Sequence, residues 1–120
     1  MSAQDNLSQQ LFHARNNADF FGYEDYPAAL TAHQIVSRYD LGDLHEDEGH
    51  YGESEHNFLR RRFESPTGQR LAKSIGSKGY DPKKPIEIYE DRMVNDGHHR
   101  LAVMYFNHPN TPIPLTHTDE

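Results

Sequence analysis

Apolar residues in this chain come in short clusters separated by polar stretches, and the spacing within each cluster predicts its local structure. Between Asp5 and Asn16, the residues Leu7, Leu11 and Ala14 recur at the period of a short amphipathic helix. The aromatic group Phe20, Phe21, Tyr23 and Tyr26 follows and stops at Pro27, as an irregular segment packed against the rest would. Thr31-Ala32-His33-Gln34 has the form of a capping box: the threonine oxygen accepts from the amide of Gln34, and the glutamine reaches back to the amide of Thr31. Ile35, Val36 and Tyr39 then form the buried side of that helix. From Leu41 to Glu55 the chain is acidic, punctuated by glycine and rich in histidine, which predicts a surface loop. His56 to Phe63 reads as helix, with Phe58, Leu59 and Phe63 on one face and Arg60, Arg61 and Arg62 mostly turned away from it. Ser65-Pro66 supplies an N-cap and a tolerated first-turn proline for another helix, lined inside by Leu71 and Ile75 and closed by Gly76 and Gly79.

The last third changes character. Pro85 to Tyr89 alternates as a strand does, and Asp91 to Asn95 can return beside it after a tight turn. Asp96-Gly97 is a turn, His98 to Asn107 has helical periodicity, and Ile113 to His117 reads as a closing strand. The succession predicts a mixed α/β (α+β) domain with a small sheet and flanking helices. Residues 27–120 are expected to form that single domain, with residues 1–26 as an N-terminal helical and aromatic extension.

Composition narrows the classes. With 120 residues there is room for one modest core. No cysteine is present, which excludes a disulfide scaffold, a cysteine zinc site and a thiol nucleophile, and suits a reducing compartment such as the cytoplasm. No apolar run approaches a membrane span, and the first residues lack a signal-peptide core, so no membrane association is expected. The 12 basic and 19 acidic side chains leave a net charge of −7, which predicts weak or no binding to duplex DNA.

Candidate chemistry concentrates in Asn95-Asp96-Gly97-His98-His99-Arg100, between a predicted strand and a predicted helix. A helix start presents amides without internal partners and the positive end of the helix dipole. Gly97 lets an anion approach the backbone. Arg100 adds a planar fork of donors, and His98 and His99 add two imidazoles, which together suit a phosphate. The same pattern also fits a plain helix start in which Asp96 is the cap, Gly97 makes the turn and the histidines face water.

A resemblance bears on that choice. Arg70-Leu71-Ala72-Lys73-Ser74-Ile75, the glycine-rich link, Pro85-Ile86-Glu87-Ile88, the box Asp96-Gly97-His98-His99-Arg100-Leu101-Ala102 and the proline-led Thr111-Pro112-Ile113-Pro114 together resemble the ParB/sulfiredoxin superfamily. The likeness spans roughly residues 27–117 and is carried by the part from Arg70 onward. It implies a ParB/sulfiredoxin-like fold that binds a nucleotide or another phosphate-bearing ligand at Gly97 to Arg100, with Arg70 and Ser74 on the preceding helix as further ligand contacts. The implied cofactor is a nucleoside triphosphate with Mg2+. Kinase-like and nuclease-like members imply phosphoryl-transfer or phosphodiester chemistry, for which His98, His99 and Asp96 are the candidate catalytic residues and Glu87 is a second available carboxylate. His98 stands where sulfiredoxins carry cysteine and partition proteins carry glutamate, so neither sulfinic-acid reduction nor the partition-type CTP switch is expected.

Two other clusters carry weaker signals. His45-Glu46-Asp47-Glu48-Gly49-His50, with His56 beyond it, holds cation-binding groups, but their spacing fits no compact ligand motif and no metal site is expected. Arg60, Arg61 and Arg62 read as a solvated face paired with nearby glutamates. The competing class of function is a non-enzymatic interaction module that grips a protein partner through the acidic segment 41–55. Short free-standing members of the superfamily are often phage or mobile-element products, so the resemblance also implies a host-directed accessory role.

Overall fold

Residues 26–46 and 52–119 are described by the computed structural model, and their order is built on capped helices feeding a small sheet. Strand β1 (Ala29–Leu30) leads into helix α1 (Ala32–Arg38). The expected capping box is present in both directions: Thr31 Oγ1 accepts from the Gln34 amide at 3.3 Å, and Gln34 Oε1 accepts from the Thr31 amide at 2.9 Å. Ile35 and Tyr39 are buried and Val36 is half-buried, as the spacing predicts. Helix α3 (Glu55–Glu64) and helix α4 (Pro66–Lys78) are joined by one residue. Ser65 serves both: it is the C-cap of α3, and its Oγ accepts from the Gly68 amide at 3.0 Å to cap α4. Gly79, at φ 79°, ends α4, whereas Gly76 lies inside the helix and does not help to close it.

The segment 41–55 is not a continuous loop. Strand β2 (Asp40–Leu41) and the short helix α2 (Gly42–Glu46) occupy its start. The reason is Leu41, which is fully buried, together with Leu44 three residues on, packed against the core. Those two apolar side chains dock a stretch whose charge suggested solvent. Asp47, Glu48 and His50 fall outside the described residues, as do the expected helix 5–16 and Phe20, Phe21 and Tyr23. Of that aromatic group Tyr26 is described, exposed, with its ring centroid 5.5 Å from that of His117 in an edge-to-face contact.

Strands β3 (Ile86–Tyr89) and β4 (Met93–Asp96) form a hairpin, helix α5 (His98–Asn107) crosses over, and β5 (Ile113–Thr118) returns. The second strand starts two residues later than the sequence suggests, because Glu90 and Asp91 form the turn at φ 51° and 50°. The Arg92 amide closes it on the Tyr89 carbonyl at 2.9 Å, the bond of a primed hairpin turn. The sheet order is β1-β5-β3-β4-β2. β1 is antiparallel to β5, β5 parallel to β3, β3 antiparallel to β4, and β4 parallel to β2. The described residues therefore form one mixed α/β domain with a five-stranded sheet and flanking helices.

Ile86, Ile88 and Val94 point from the central strands into a core shared with Ile35, Phe58, Leu59 and the Leu101–Met104 run of α5. Each such side chain, fully withdrawn from water, contributes roughly 1.5–3 kcal/mol. Helix α5 is thus held by α1, α3, α4 and strand β3, and it follows β4 through a single residue. No described helix is long and apolar enough to cross a membrane.

Candidate functional site

The chain leaves β4 at Asp96 and starts α5 at His98, with Gly97 as the only link. Gly97 has φ 101° and ψ 19°, a left-handed conformation. A Cβ there would meet Ile86 Cδ1 at 2.6 Å and Arg100 Nη2 at 3.1 Å. Both the backbone and the space therefore demand glycine. Gly97, not Asp96, is the N-cap, and it offers no side-chain cap to the first turn. The start of a ten-residue helix thus keeps its donor amides and its dipole for something else.

That start opens onto a cavity of about 260 Å3, lined by Gly97 to Arg100, Asn95 and Asp96, by Thr67 and Leu71 from α4, and by Asp43 from α2. Arg100 is largely buried and pre-positioned: Nη1 donates to the Lys84 carbonyl at 2.8 Å, and Nη2 lies 3.5 Å from Asp96 Oδ2. His99 is half-buried, and burial followed by the Arg62 charge pushes its imidazole below the ordinary value. Asp96 is largely exposed at the rim.

His98 borders the same cavity but is turned into the core. It is 3% exposed, with its ring edge-on to Phe58. Nε2 accepts from the Asp43 amide at 3.2 Å, so the neutral ring carries its proton on Nδ1, which faces Asp43 Oδ2 at 3.1 Å. Burial holds this imidazole below its ordinary value despite the nearby Asp43 carboxylate. Both ring nitrogens are committed to Asp43, so His98 fastens α2 to α5. His99, the neighbouring imidazole, lies in the cavity wall without such a commitment to Asp43.

The other candidates separate. Ser74 does not reach the main cavity. It lines a second one of about 100 Å3 with Leu71, Ile75, Tyr80, Asp81, Lys84 and Arg100. Leu71 and Arg100 belong to both, so the two cavities adjoin. Burial pushes the Tyr80 phenol up to about 12, and its hydroxyl donates to the same Lys84 carbonyl that holds Arg100. Arg70 is exposed and donates to Thr67 Oγ1 at 3.2 Å, one step removed from the cavity. Glu87 is not at the cavity; it accepts from Asn95 Nδ2 at 3.1 Å and lies 3.4 Å from Thr118 Oγ1.

The arginine triplet divides as well. Arg60 stays exposed near Glu64, and Arg61 grips Glu53 through two short bonds, in line with the expected glutamate pairing. Arg62 turns inward, 4.7 Å over the Phe58 ring and 3.5 Å from Asp43. Arg62, Asp43 and His98 thus form a chain of charges and hydrogen bonds behind the cavity. His45 is exposed on α2, and His56 lies on α3 with Nδ1 3.4 Å from the Tyr105 hydroxyl. Among the described residues no three histidine or carboxylate side chains are grouped as a metal would require.

Sequence reasoning missed Asp43 and Thr67. The signal for Asp43 was the Leu41/Leu44 pair, which docks the element that carries it; the signal for Thr67 was its position one turn before Leu71. No protein-family model, no curated protein and no solved structure matches this chain, so the cavity and its chemistry carry the functional reading.

Proposed function

We propose that this chain binds a nucleotide or another phosphate-bearing ligand at Gly97 to Arg100. The observation that carries the reading is the uncapped, glycine-led start of α5 opening onto a 260 Å3 cavity with His99 and Arg100 in its wall. A phosphate there gains amide donors and the favourable end of the helix dipole. Arg100 adds charge-assisted bonds from a guanidinium already oriented by Lys84 and Asp96. Thr67 offers a hydroxyl from the opposite wall. A nucleoside triphosphate would bring Mg2+ held mainly by its own phosphates and water, with Asp96 or Asp43 as a carboxylate ligand.

Phosphoryl transfer or phosphodiester cleavage at this place would rely on positioning and charge neutralisation more than on covalent help from the protein. His99 is the group able to move a proton, and Asp96 and Asp43 are the carboxylates able to accept one. The ParB/sulfiredoxin-like reading of the box supports the same ligand class.

A thermal-shift series with ATP, ADP, CTP and GTP, each with and without magnesium, tests the proposal. Ligand at about 100 times its Kd should add about 2.7 kcal/mol to stability, a shift of several degrees. An unchanged melting temperature with every nucleotide and with inorganic phosphate would defeat the reading. The competing module, gripping a protein through residues 41–55, predicts instead that partner capture survives loss of Arg100.

A further inference from the structure

The net charge of −7 hides a segregation. All of the chain's lysines, Lys73, Lys78, Lys83 and Lys84, lie on α4 or in the link to β3, and Arg70 precedes them on the same helix. Between residues 66 and 86 the only acidic side chain is Asp81, so this segment carries +4 within a strongly acidic molecule. Arg70 and Lys73 are neighbours three residues apart on α4, Lys78 lies eight residues on from Arg70 and about 80° round the helix on its other side, and all three are exposed. None of the four lysines pairs with a carboxylate among the described residues, whereas Arg38, Arg60, Arg61, Arg62, Arg92 and Arg100 all have acidic partners. Lys83 and Lys84 continue the strip beside the smaller cavity, whose Leu71, Ile75 and Tyr80 wall is partly apolar. Across Leu71 and Arg100 that cavity adjoins the α5 start.

We propose that this strip is a track for single-stranded nucleic acid: its phosphates run along Arg70, Lys73, Lys78 and Lys83, an unstacked base enters the cavity at Tyr80, and one phosphate sits at the start of α5. A row of unpaired cations alone would suit any polyanion. The adjoining ring-sized, partly apolar cavity is what favours a nucleic acid strand over an acidic protein. A duplex keeps its base faces stacked inside and cannot use that cavity, and the acidic remainder of the surface repels its second strand. The inference rests on the proposed phosphate seat only for the anchoring phosphate. The strip itself is independent of it.

Fluorescence anisotropy with short labelled oligothymidylate, oligouridylate and a duplex of equal length tests the track. The strands should bind and the duplex should bind at least tenfold more weakly, while the DNA and RNA arms identify which strand is preferred. With four phosphate contacts, affinity should fall roughly 50-fold between about 50 and 200 mM salt. Lys73→Glu/Lys78→Glu/Lys83→Glu, and the milder triple change to Gln, should lose strand affinity at least tenfold and about threefold, and flatten the salt dependence. Both should keep the wild-type circular dichroism spectrum and the wild-type thermal response to mononucleotides. Absence of strand binding at low salt, equal affinity for duplex or polyglutamate, or an unaffected Glu triple variant would each overturn the track. Strand binding without any mononucleotide response would defeat the phosphate seat and leave the track standing; the reverse result would do the opposite.

Discussion

Gly68 and Gly76 lie on the same helix, and the same substitution at each should move stability in opposite directions. A Cβ on Gly68 would come within 2.1 Å of the Arg62 carbonyl oxygen and 2.5 Å of the Phe63 oxygen. These are backbone atoms of α3, so no rotamer change relieves the contact, and α3 and α4 must separate. Overpacking of this kind costs about 3 kcal/mol at the upper end of its usual range. The movement also loosens the bond from the Gly68 amide to Ser65 Oγ, a cap contributing about 1 kcal/mol. Alanine's better helix propensity returns about 1 kcal/mol. Gly68→Ala should therefore lose about 3 kcal/mol, lowering the melting temperature by roughly 10 °C for a domain of this size. At Gly76 an added Cβ meets nothing within 4 Å, so Gly76→Ala should gain the propensity term alone, about 1 kcal/mol. Urea unfolding of the two variants beside wild type measures both. A Gly68→Ala protein as stable as wild type would mean that α3 and α4 do not approach as described, and the Thr67 and Leu71 wall of the cavity would go with them.

Arg100→Ala should weaken nucleotide binding by about 1.5–3 kcal/mol, the range of a charge-assisted hydrogen bond, and Arg100→Lys should not restore it because an ammonium lacks the planar fork; titration calorimetry with wild-type affinity in the alanine variant would remove Arg100 from the site. His98 and His99 are both held below their ordinary value of 6.5, so the unfolded chain binds more protons than the native one once the pH drops through that value. Stability should be fully present above about pH 7 and decline as the pH falls from 6.5 toward the native values, and a urea midpoint that rises on acidification to pH 5.5 would contradict it. Phosphate binding should show the opposite sign, strengthening as the pH falls from about 8 to 6 because the anion favours the protonated His99, and His99→Gln should flatten that profile in calorimetry. Tyr39→Phe removes the bond to Asp91 Oδ1 at 3.0 Å that ties α1 to the β3–β4 turn, and should cost about 1 kcal/mol by urea titration.

The sequence was most legible where one local device sufficed. The Thr31 capping box, the Ser65-Pro66 start of α4, the alternation of Ile86 to Tyr89 and the periodicity of α5 each depend on contacts within a few residues, and each appears with little shift in its boundaries. Strands β1 and β2 have two residues each and exist because β5 and β4 offer them partners. No local pattern encodes a pairing that distant. The expected loop was wrong over Leu41 to Glu46 for the same reason: charge density suggested water, while Leu41 and Leu44 pack against the core.

The box Gly97 to Arg100 shows where local reasoning stops for chemistry as well. Glycine at position 97 follows from backbone geometry and could be read in the turn signal. The division of labour between two adjacent histidines could not, because it is set by which way the helix rotates into the core. A helical step of about 100° turns His98 toward Phe58 and α2, and leaves His99 beside the cavity. Once His98 faces inward, its two nitrogens need partners, since a buried polar group without them costs about 1–3 kcal/mol. Asp43 supplies both through its amide and its carboxylate. That requirement explains why an acidic, polar segment docks at all: Leu41 and Leu44 bring α2 to the core, and His98 fixes its register against α5. The same contact places a carboxylate in the wall of a site read as anion-binding. Arg62, 3.5 Å from that carboxylate, offsets its charge, and under the proposed reading His99 and Arg100 are the cationic wall groups that an incoming phosphate would meet.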